Sequence, residues 1–466
     1  MERALKALGR ETYRIEGFIT KPVESIKKLG SVRDPMVGIF AHWVYGQHTS
    51  AGAIINDNPL LLSSNFSGKW PGLVGLLNTA GCLESQGRHA SRLWTEAEDW
   101  TKDDNFMDGL EGWCRDGFVT YSIDHVRTPR ESASIHASKV FSEMKWSRPL
   151  AMMLGDTSMG MINGYFGPQR CARVGVTEQK IDQAWIVDYG KNVDDRRIDD
   201  AVKFVNDKGV TFHYQGDFGP DATREQLRDY FAVKDICEEF GADCVGWQYQ
   251  LGMFRQRPPS DFAEGLFNSK CRPESDGSTF ICSTEADQGN LLPMEMMKRL
   301  LKAKGLHEAV MFHDIRWAGT YEGRTFWVLL NSGSCGAYAF NHDPDTLRGV
   351  HSHRQPIQYF PIPGGSFSGE SLPGKITWAR AWMSQEELCM DIGQGEALKL
   401  PEALRDEMWN GTTREWPFMA ADIGLSKQSL MMTYMSNHIA VAYGDIFDEM
   451  VSLSQSLGYR VRVLAD

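Results

Sequence analysis

The chain has no apolar run approaching the roughly 20 residues that a bilayer-spanning helix needs, and no basic tract of the kind that grips a phosphate backbone. Its formal charge is -12, which sets it against nucleic acid and against an anionic membrane surface. Nine cysteines (82, 114, 171, 237, 244, 271, 282, 335 and 389) contain no Cys-x-x-Cys pair and no zinc-ligand spacing. Reduced thiols that mostly fill cores are therefore expected. No Gly-x-Gly-x-x-Gly opens a helix after a strand, and neither Gly-x-x-x-x-Gly-Lys-Ser/Thr nor Gly-x-Ser-x-Gly occurs. Dinucleotide, P-loop and nucleophile-elbow chemistries lack their motifs, and Gly333-Ser-Cys-Gly336 reads as a turn of small residues. The opening Met1–Gly9 has amphipathic helical spacing without the apolar stretch of a signal peptide, so a cytoplasmic protein is expected. Without an export signal, the glycosylation patterns Asn65-Phe-Ser67 and Asn410-Gly-Thr412 are expected to be chance matches.

What is present suits an enzyme of several domains. The 466 residues are 42% hydrophobic and 24% charged, enough to bury more than one core. Apolar, β-rich runs recur between helical patterns at Met36–Tyr45, Pro59–Ser63, Leu150–Leu154, Gly209–Tyr214, Cys244–Gln248, Thr279–Cys282, Ala309–Asp314 and Phe326–Leu330. This alternation implies βαβ units and parallel sheet. After Gly333, Gly and Pro clusters at 361–365 and 372–374 separate short segments such as Ile376–Trp382. The expected class is α/β: two Rossmann-like parallel-sheet domains (1–145 and 146–300), then a β-rich, barrel-like α+β domain (301–466). A last helix is expected after His438 on Val441, Ile446, Met450, Leu453 and Leu457, with a strand at Tyr459–Leu464 ending the chain.

The stretch from Phe280 to Leu300 carries the most chemistry. An apolar strand runs into an acid pair, Glu285 and Asp287, and then into a helix start with free backbone donors. Open α/β sheets place ligands at the carboxyl ends of their strands. Val310–Asp314 repeats the pattern, an apolar strand ending in a carboxylate. Two carboxylates at neighbouring strand ends repel unless a cation lies between them or one is protonated. Oxygen ligands with one imidazole suit Mn²⁺ or Mg²⁺ better than Zn²⁺. Taken alone, the two acids read more readily as helix-capping or ion-paired residues than as metal ligands, and His438, after Asn437, more readily as a hydrogen-bonded core residue. His351-Ser-His353 reads as a loop pair that could bind metal, and His313 is expected on the opposite side of its strand from Asp314.

At these residues the sequence resembles the L-fucose isomerase family, and the likeness is collinear from about residue 36 to the C-terminus. The matching segments are His42-Trp-Val-Tyr-Gly46, Asn65-Phe-Ser-Gly-Lys-Trp-Pro-Gly72, Ser158-Met-Gly160 and Gly246-Trp-Gln-Tyr-Gln250. They continue with Thr284-Glu285, Phe312-His-Asp-Ile-Arg316, Asn331-Ser-Gly-Ser334, Trp416-Pro417 and Asn437-His438. The resemblance implies an aldose–ketose isomerase working through an enediolate. It implies Mn²⁺, with Mg²⁺ or Co²⁺ as substitutes, on Glu285, Asp314 and His438, and the two acids as the acid–base pair. It further implies sugar contacts from Trp43, Met159, Gln248, Ser332, Tyr359, Trp416 and Asn437, and trimers or hexamers in which Trp43 reaches a neighbouring subunit's site. Core packing is the competing role for the tryptophans. Longer members carry an opening strand and a substrate-contacting Arg that have no counterpart before the matching region here.

L-fucose, D-arabinose or a C6-modified hexose such as sulfoquinovose fit this expectation, the last because Arg255, Arg257, Arg316 or Arg324 could meet an anionic group. Two rivals remain: a non-catalytic sugar-binding or assembly protein of the same fold, and a metal-dependent hydrolase, which has no second metal cluster in its favour.

Overall fold

The computed structural model of the protein describes residues 1–65, 68–121, 126–129, 133–156 and 159–465. Phe66, Ser67 and Ser158, which belong to the segments above, lie outside them.

Strand–helix alternation does become parallel sheet. Strands β1 (Met36–Phe40), β2 (Leu60–Asn65) and β3 (Ser91–Thr95) form a three-stranded parallel sheet in that order. The helix Gly72–Ser85 is buried along almost its whole length, which explains its continuous apolar and small-residue sequence. A second parallel sheet combines β4 (Leu150–Leu154) and β5 (Thr177–Ile181) with β7 (Cys244–Trp247) and β8 (Ile281–Thr284), in the order β5-β4-β7-β8. The intervening β6 (Thr211–His213) belongs to neither sheet and pairs in parallel with the distant β11 (His351–His353).

The C-terminal half is a barrel. Its strands are β9 (Val310–Tyr321), β10 (Arg324–Leu330), β12 (Gly374–Ser384), β13 (Glu387–Ala397), β14 (Phe418–Asp422), β15 (His438–Tyr443) and β16 (Arg460–Ala465). The order β12-β15-β9-β10-β14-β13, with a further β12–β13 pairing, closes six antiparallel strands into a ring, and β16 adds in parallel outside β13. Closure removes the exposed sheet edges. The β9–β10 hairpin turns on Glu322 and Gly323, both left-handed (φ 50° and 75°), the conformation whose twist matches the flanking strands. Trp327 and Trp378 are fully buried, and their indole N–H groups donate to the carbonyls of Leu425 and Ile423 (2.8 and 3.1 Å). Gly393, opposite Trp378 in register, has no side chain because a Cβ there would come within 2.3 Å of the indole.

Four expectations change. Asp314 lies inside β9 rather than at a strand end, because β9 continues to Tyr321 to build the hairpin. Glu285 follows a strand of one sheet and Asp314 lies within a strand of another, so they are not neighbours along one sheet edge. His438 opens a strand, not a helical stretch: Val441 lies in β15 and the helix begins at Phe447. His351-Ser-His353 is a strand rather than a loop pair.

Candidate functional site

Glu285 and Ala286 occupy left-handed backbone (φ 59° and 51°) directly after β8. That conformation is costly for residues with a side chain and clusters at functional sites. Gly246 on β7 allows the turn to approach, since a Cβ there would lie 3.1 Å from the Ala286 Cα. Two residues on, Asp287 caps the helix Gln288–Ala303, its Oδ1 accepting the Gly289 N–H at 2.8 Å. The barrel supplies the other half: antiparallel pairing sets His438 opposite Asp314 in register.

These elements converge on one imidazole. His438 Nε2 lies 3.2 Å from Asp314 Oδ1 and 3.6 Å from Glu285 Oε2, while its Nδ1 meets Asp287 Oδ2 at 2.7 Å. Asp314 Oδ1 accepts the Asn437 amide (2.8 Å) and Oδ2 the Asn331 amide (3.1 Å). Asp287 also accepts from the fully buried Arg380, whose guanidinium reaches Asn290 Oδ1 at 3.1 Å. Gly164 and Gly289 make room for it: a Cβ on either would meet the guanidinium at about 2.5 Å. Side-chain exposure is 15% for Glu285 and 14% for Asp314 but 1% for His438, so solvent or a ligand reaches the carboxylates and not the ring.

The charges are strongly coupled. Burial pushes the Glu285 carboxyl well above its ordinary value, with Asp314, Asp287 and Glu264 adding to the effect and His438 opposing it. Burial also works against charge on Asp287, yet Arg380 and His438 hold it at about 2. For His438, burial is outweighed by Asp314, Asp287 and Glu285, which raise it to about 10. Glu264 and Asp261 stand behind Glu285, both pushed up by burial; Ser260 donates to Glu264 at 2.7 Å, and Ser332 is hydrogen-bonded to Asp261.

Two atoms bear on whether these residues suit a cation. Glu285 Oε2 and His438 Nε2 are buried and have no hydrogen-bond partner, although each such loss is costly. The Asp287 contact holds a proton on Nδ1, so a cation taking the place of the proton on Nε2 would meet a nitrogen already aimed at the carboxylates, the usual arrangement behind a ligating histidine. The donor set of two carboxylates and one imidazole suits a hard or borderline divalent ion.

The residues expected to touch sugar fall into four groups. Asn437 and Ser332 lie at the acid cluster through the contacts above. Tyr359 and Trp416 form a wall: their rings are 5.8 Å apart, Tyr359 is 6.3 Å from the ring of His42, and Trp416 Nε1 donates to Gln355 at 2.7 Å. Tyr359 is also hydrogen-bonded to Arg316, a buried guanidinium two residues along β9 from Asp314 and hence on the same strand face. Trp43 packs edge-on to Tyr45 (4.5 Å), and Met159 precedes Gly160, against which Tyr45 also rests. Tyr45 is pushed up to about 12 by burial and by the charge of Glu285, which brings this loop to the acid cluster. Gln248 follows β7 at the carboxyl end of the sheet but turns its Oε1 to Gln183 Nε2 and the Asp156 N–H (3.0 and 3.1 Å).

Several contributors were not expected as site residues. Asp287, Arg380 and Asn331 orient the cluster, and Tyr45, Asp261 and Glu264 surround Glu285. The Asn-Ser-Gly-Ser signal at 331–334 marked Asn331; nothing in sequence singles out Arg380. Of the other arginines considered for an anion, Arg257 is paired with Asp229 and Glu225, Arg324 with Glu396 and Asp422, and Arg255 lies over Phe254. His313 faces away from Asp314, fully buried, with neither ring nitrogen hydrogen-bonded. A cavity of about 420 Å³ lined by Arg92, Trp94, Asp108, Arg115 and Gln428 includes none of the residues clustered around His438.

Residues 329–464 match the family model of the L-fucose isomerase C-terminal domain. The match shows a likeness to that domain over the C-terminal part of the chain. The matched part contains His438, Asn437, Ser332, Tyr359 and Trp416, whereas Glu285 and Asp314 precede it. Among curated proteins, none matches the chain. Among the described residues, no helix is long and apolar enough to cross a membrane.

Proposed function

We propose that the chain is a metal-dependent aldose–ketose isomerase acting on a free sugar: L-fucose, D-arabinose or a C6-modified hexose such as sulfoquinovose. The observation that carries this is the meeting of Glu285, Asp314 and His438 at a point reachable from solvent, with an oxygen and a nitrogen there lacking partners. A divalent cation held by these three residues, Mn²⁺ with Mg²⁺ or Co²⁺ as substitutes, would supply Lewis-acid stabilisation of charge developing on the sugar oxygens.

The chain's own groups handle the protons. Isomerisation takes the proton from C2 of the aldose and returns one to C1, while the O2 hydroxyl proton passes to O1. Glu285 Oε2, which has no hydrogen-bond partner, is the atom placed to take and return the carbon-bound proton. Asp314, each oxygen held by an asparagine amide, stays oriented beside O1 and O2 and serves their proton exchange. Trp43, Tyr359 and Trp416 offer apolar faces to sugar C–H groups, and Ser332, Asn437 and Gln248 offer polar atoms to hydroxyls. Arg316, buried and with an unpartnered Nε, favours a substrate carrying an anionic group. In this proposal the active form is a trimer or hexamer in which Trp43 serves a neighbouring subunit.

The test is to incubate the purified protein with Mn²⁺ and a panel of aldoses including L-fucose, D-arabinose and sulfoquinovose in D₂O. Ketose with deuterium at C1 or C2 is expected; absence of both with every sugar removes the isomerase assignment.

A further inference from the structure

A second convergence of ligand atoms lies outside this site. Parallel pairing of β6 with β11 sets His213 directly opposite His353, and Ser352, fully buried, leaves His351 and His353 on one face of the strand. The rings of His213 and His353 are stacked with nearly parallel planes at 4.1 Å between centroids, and His213 Nε2 is 3.0 Å from His351 Nδ1. One ligand nitrogen from each of the three lies within 4.8 Å of the others. They line a pocket of about 180 Å³ with Ser368, Trp409 and Arg414, and among the described residues no carboxylate or thiol borders it.

We propose that His213, His351 and His353 form a second metal site, for a borderline transition ion such as Zn²⁺ or Co²⁺, with one coordination position left open toward Arg414. The donor chemistry separates it from the acid cluster: three neutral imidazoles select Zn²⁺ or Co²⁺, whereas Mn²⁺ and Mg²⁺ require oxygen. Burial first, then the neighbouring imidazoles, keep His351 and His353 below the ordinary histidine value, so their lone pairs are available. Tetrahedral ligands at about 2.0–2.1 Å from zinc stand about 3.4 Å apart, close to the 3.0 Å already separating His213 and His351. Rotation of side chains on a fixed ladder closes the rest. Arg414, 3.5 Å over the Trp409 ring, makes the open position suited to water or a small anion. The pocket also backs the aromatic wall, because Ser368 and the Trp409 indole both donate to the Trp416 carbonyl (3.1 and 3.0 Å).

The experiment titrates chelator-stripped full-length protein with Co²⁺ and Zn²⁺, reading stoichiometry by dialysis and elemental analysis, and the visible Co²⁺ spectrum. Wild type is expected to bind one more ion per chain than His213→Gln or His353→Gln, each checked for folding by circular dichroism, with loss of the imidazole-type spectrum. Equal stoichiometry and an unchanged spectrum in both variants overturn the proposal. Should the variants not fold, wild type alone decides. Zn²⁺ is expected to shield His213, His351 and His353 from carbethoxylation, scored by peptide mass separately from His438, and equal labelling with and without Zn²⁺ overturns the site.

Discussion

The parallel sheet and the barrel each bring an acid to one point, and they hold it by different means. On the sheet side, Glu285 stands past the end of β8 on left-handed backbone, with its carboxylate oxygen Oε2 unpartnered. On the barrel side, Asp314 sits in mid-strand, fixed by register against His438 and by two amide donors. A group on a turn can be exchanged with little effect on the fold, whereas a group inside a closed ladder is tied to its neighbours. The seam between them is the buried Arg380–Asp287–His438 chain, where a helix cap of one region meets a barrel strand of the other.

The largest effect that would break this contrast is at the turn. Glu285→Gln is expected to lower turnover by about 10²–10⁴-fold, the range for a removed acid–base group, with the circular dichroism spectrum retained. Wild-type turnover would take Glu285 out of the mechanism. At the seam, Arg380→Met leaves Asp287 buried without its cation and should cost about 3–5 kcal/mol of unfolding free energy in denaturant titration. A midpoint equal to wild type would mean that the two regions are not coupled there. On the barrel side, Asn437→Ala removes a charge-assisted donor from Asp314, a loss of about 1.5–3 kcal/mol, read as roughly a 10- to 100-fold drop in kcat/KM with little change in melting temperature.

The smallest expected effect sharpens the link between the regions. His307, in the connection from the helix Gln288–Ala303 to β9, is pushed down to about 4 from 6.5 by burial and by Lys270, and its ring lies 4.4 Å from that of Tyr338. The unfolded chain takes a proton on this ring near pH 6.5 while the folded ring resists until about 4. Its contribution to stability is complete above 6.5 and is lost as pH falls through that window. His307→Phe should flatten the pH dependence of the denaturation midpoint between pH 4 and 6.5; an unaltered slope assigns it elsewhere.

Much of the sheet side was legible locally. An apolar run into Glu285 and Asp287 and then a helix describes β8, the turn and the cap to within two residues, because all three arise from contacts a few residues apart. The barrel side was less legible. The run at Ala309–Asp314 was read as ending at its acid because the continuation through Arg316 and Gly319 loses its apolar continuity, yet β9 extends to Tyr321. Ile439-Ala-Val-Ala-Tyr443 fits strand by its β-branched and aromatic content, but helical spacing from Val441 onward obscured it. His213 gave no signal at all, since its partners lie 138 residues away and meet it through a two-stranded ladder.

By itself the sequence determined the α/β class, the strand–acid–helix unit at Glu285, and a set of short motifs whose order resembles one family, since each depends on local pattern. Only the tertiary structure decided that six strands close on themselves, that His438 stands opposite Asp314, that Arg380 neutralises Asp287, and that three distant histidines share a pocket. Those pairings are set by register and burial between segments far apart in the chain, where local propensity carries no information about which partner is met.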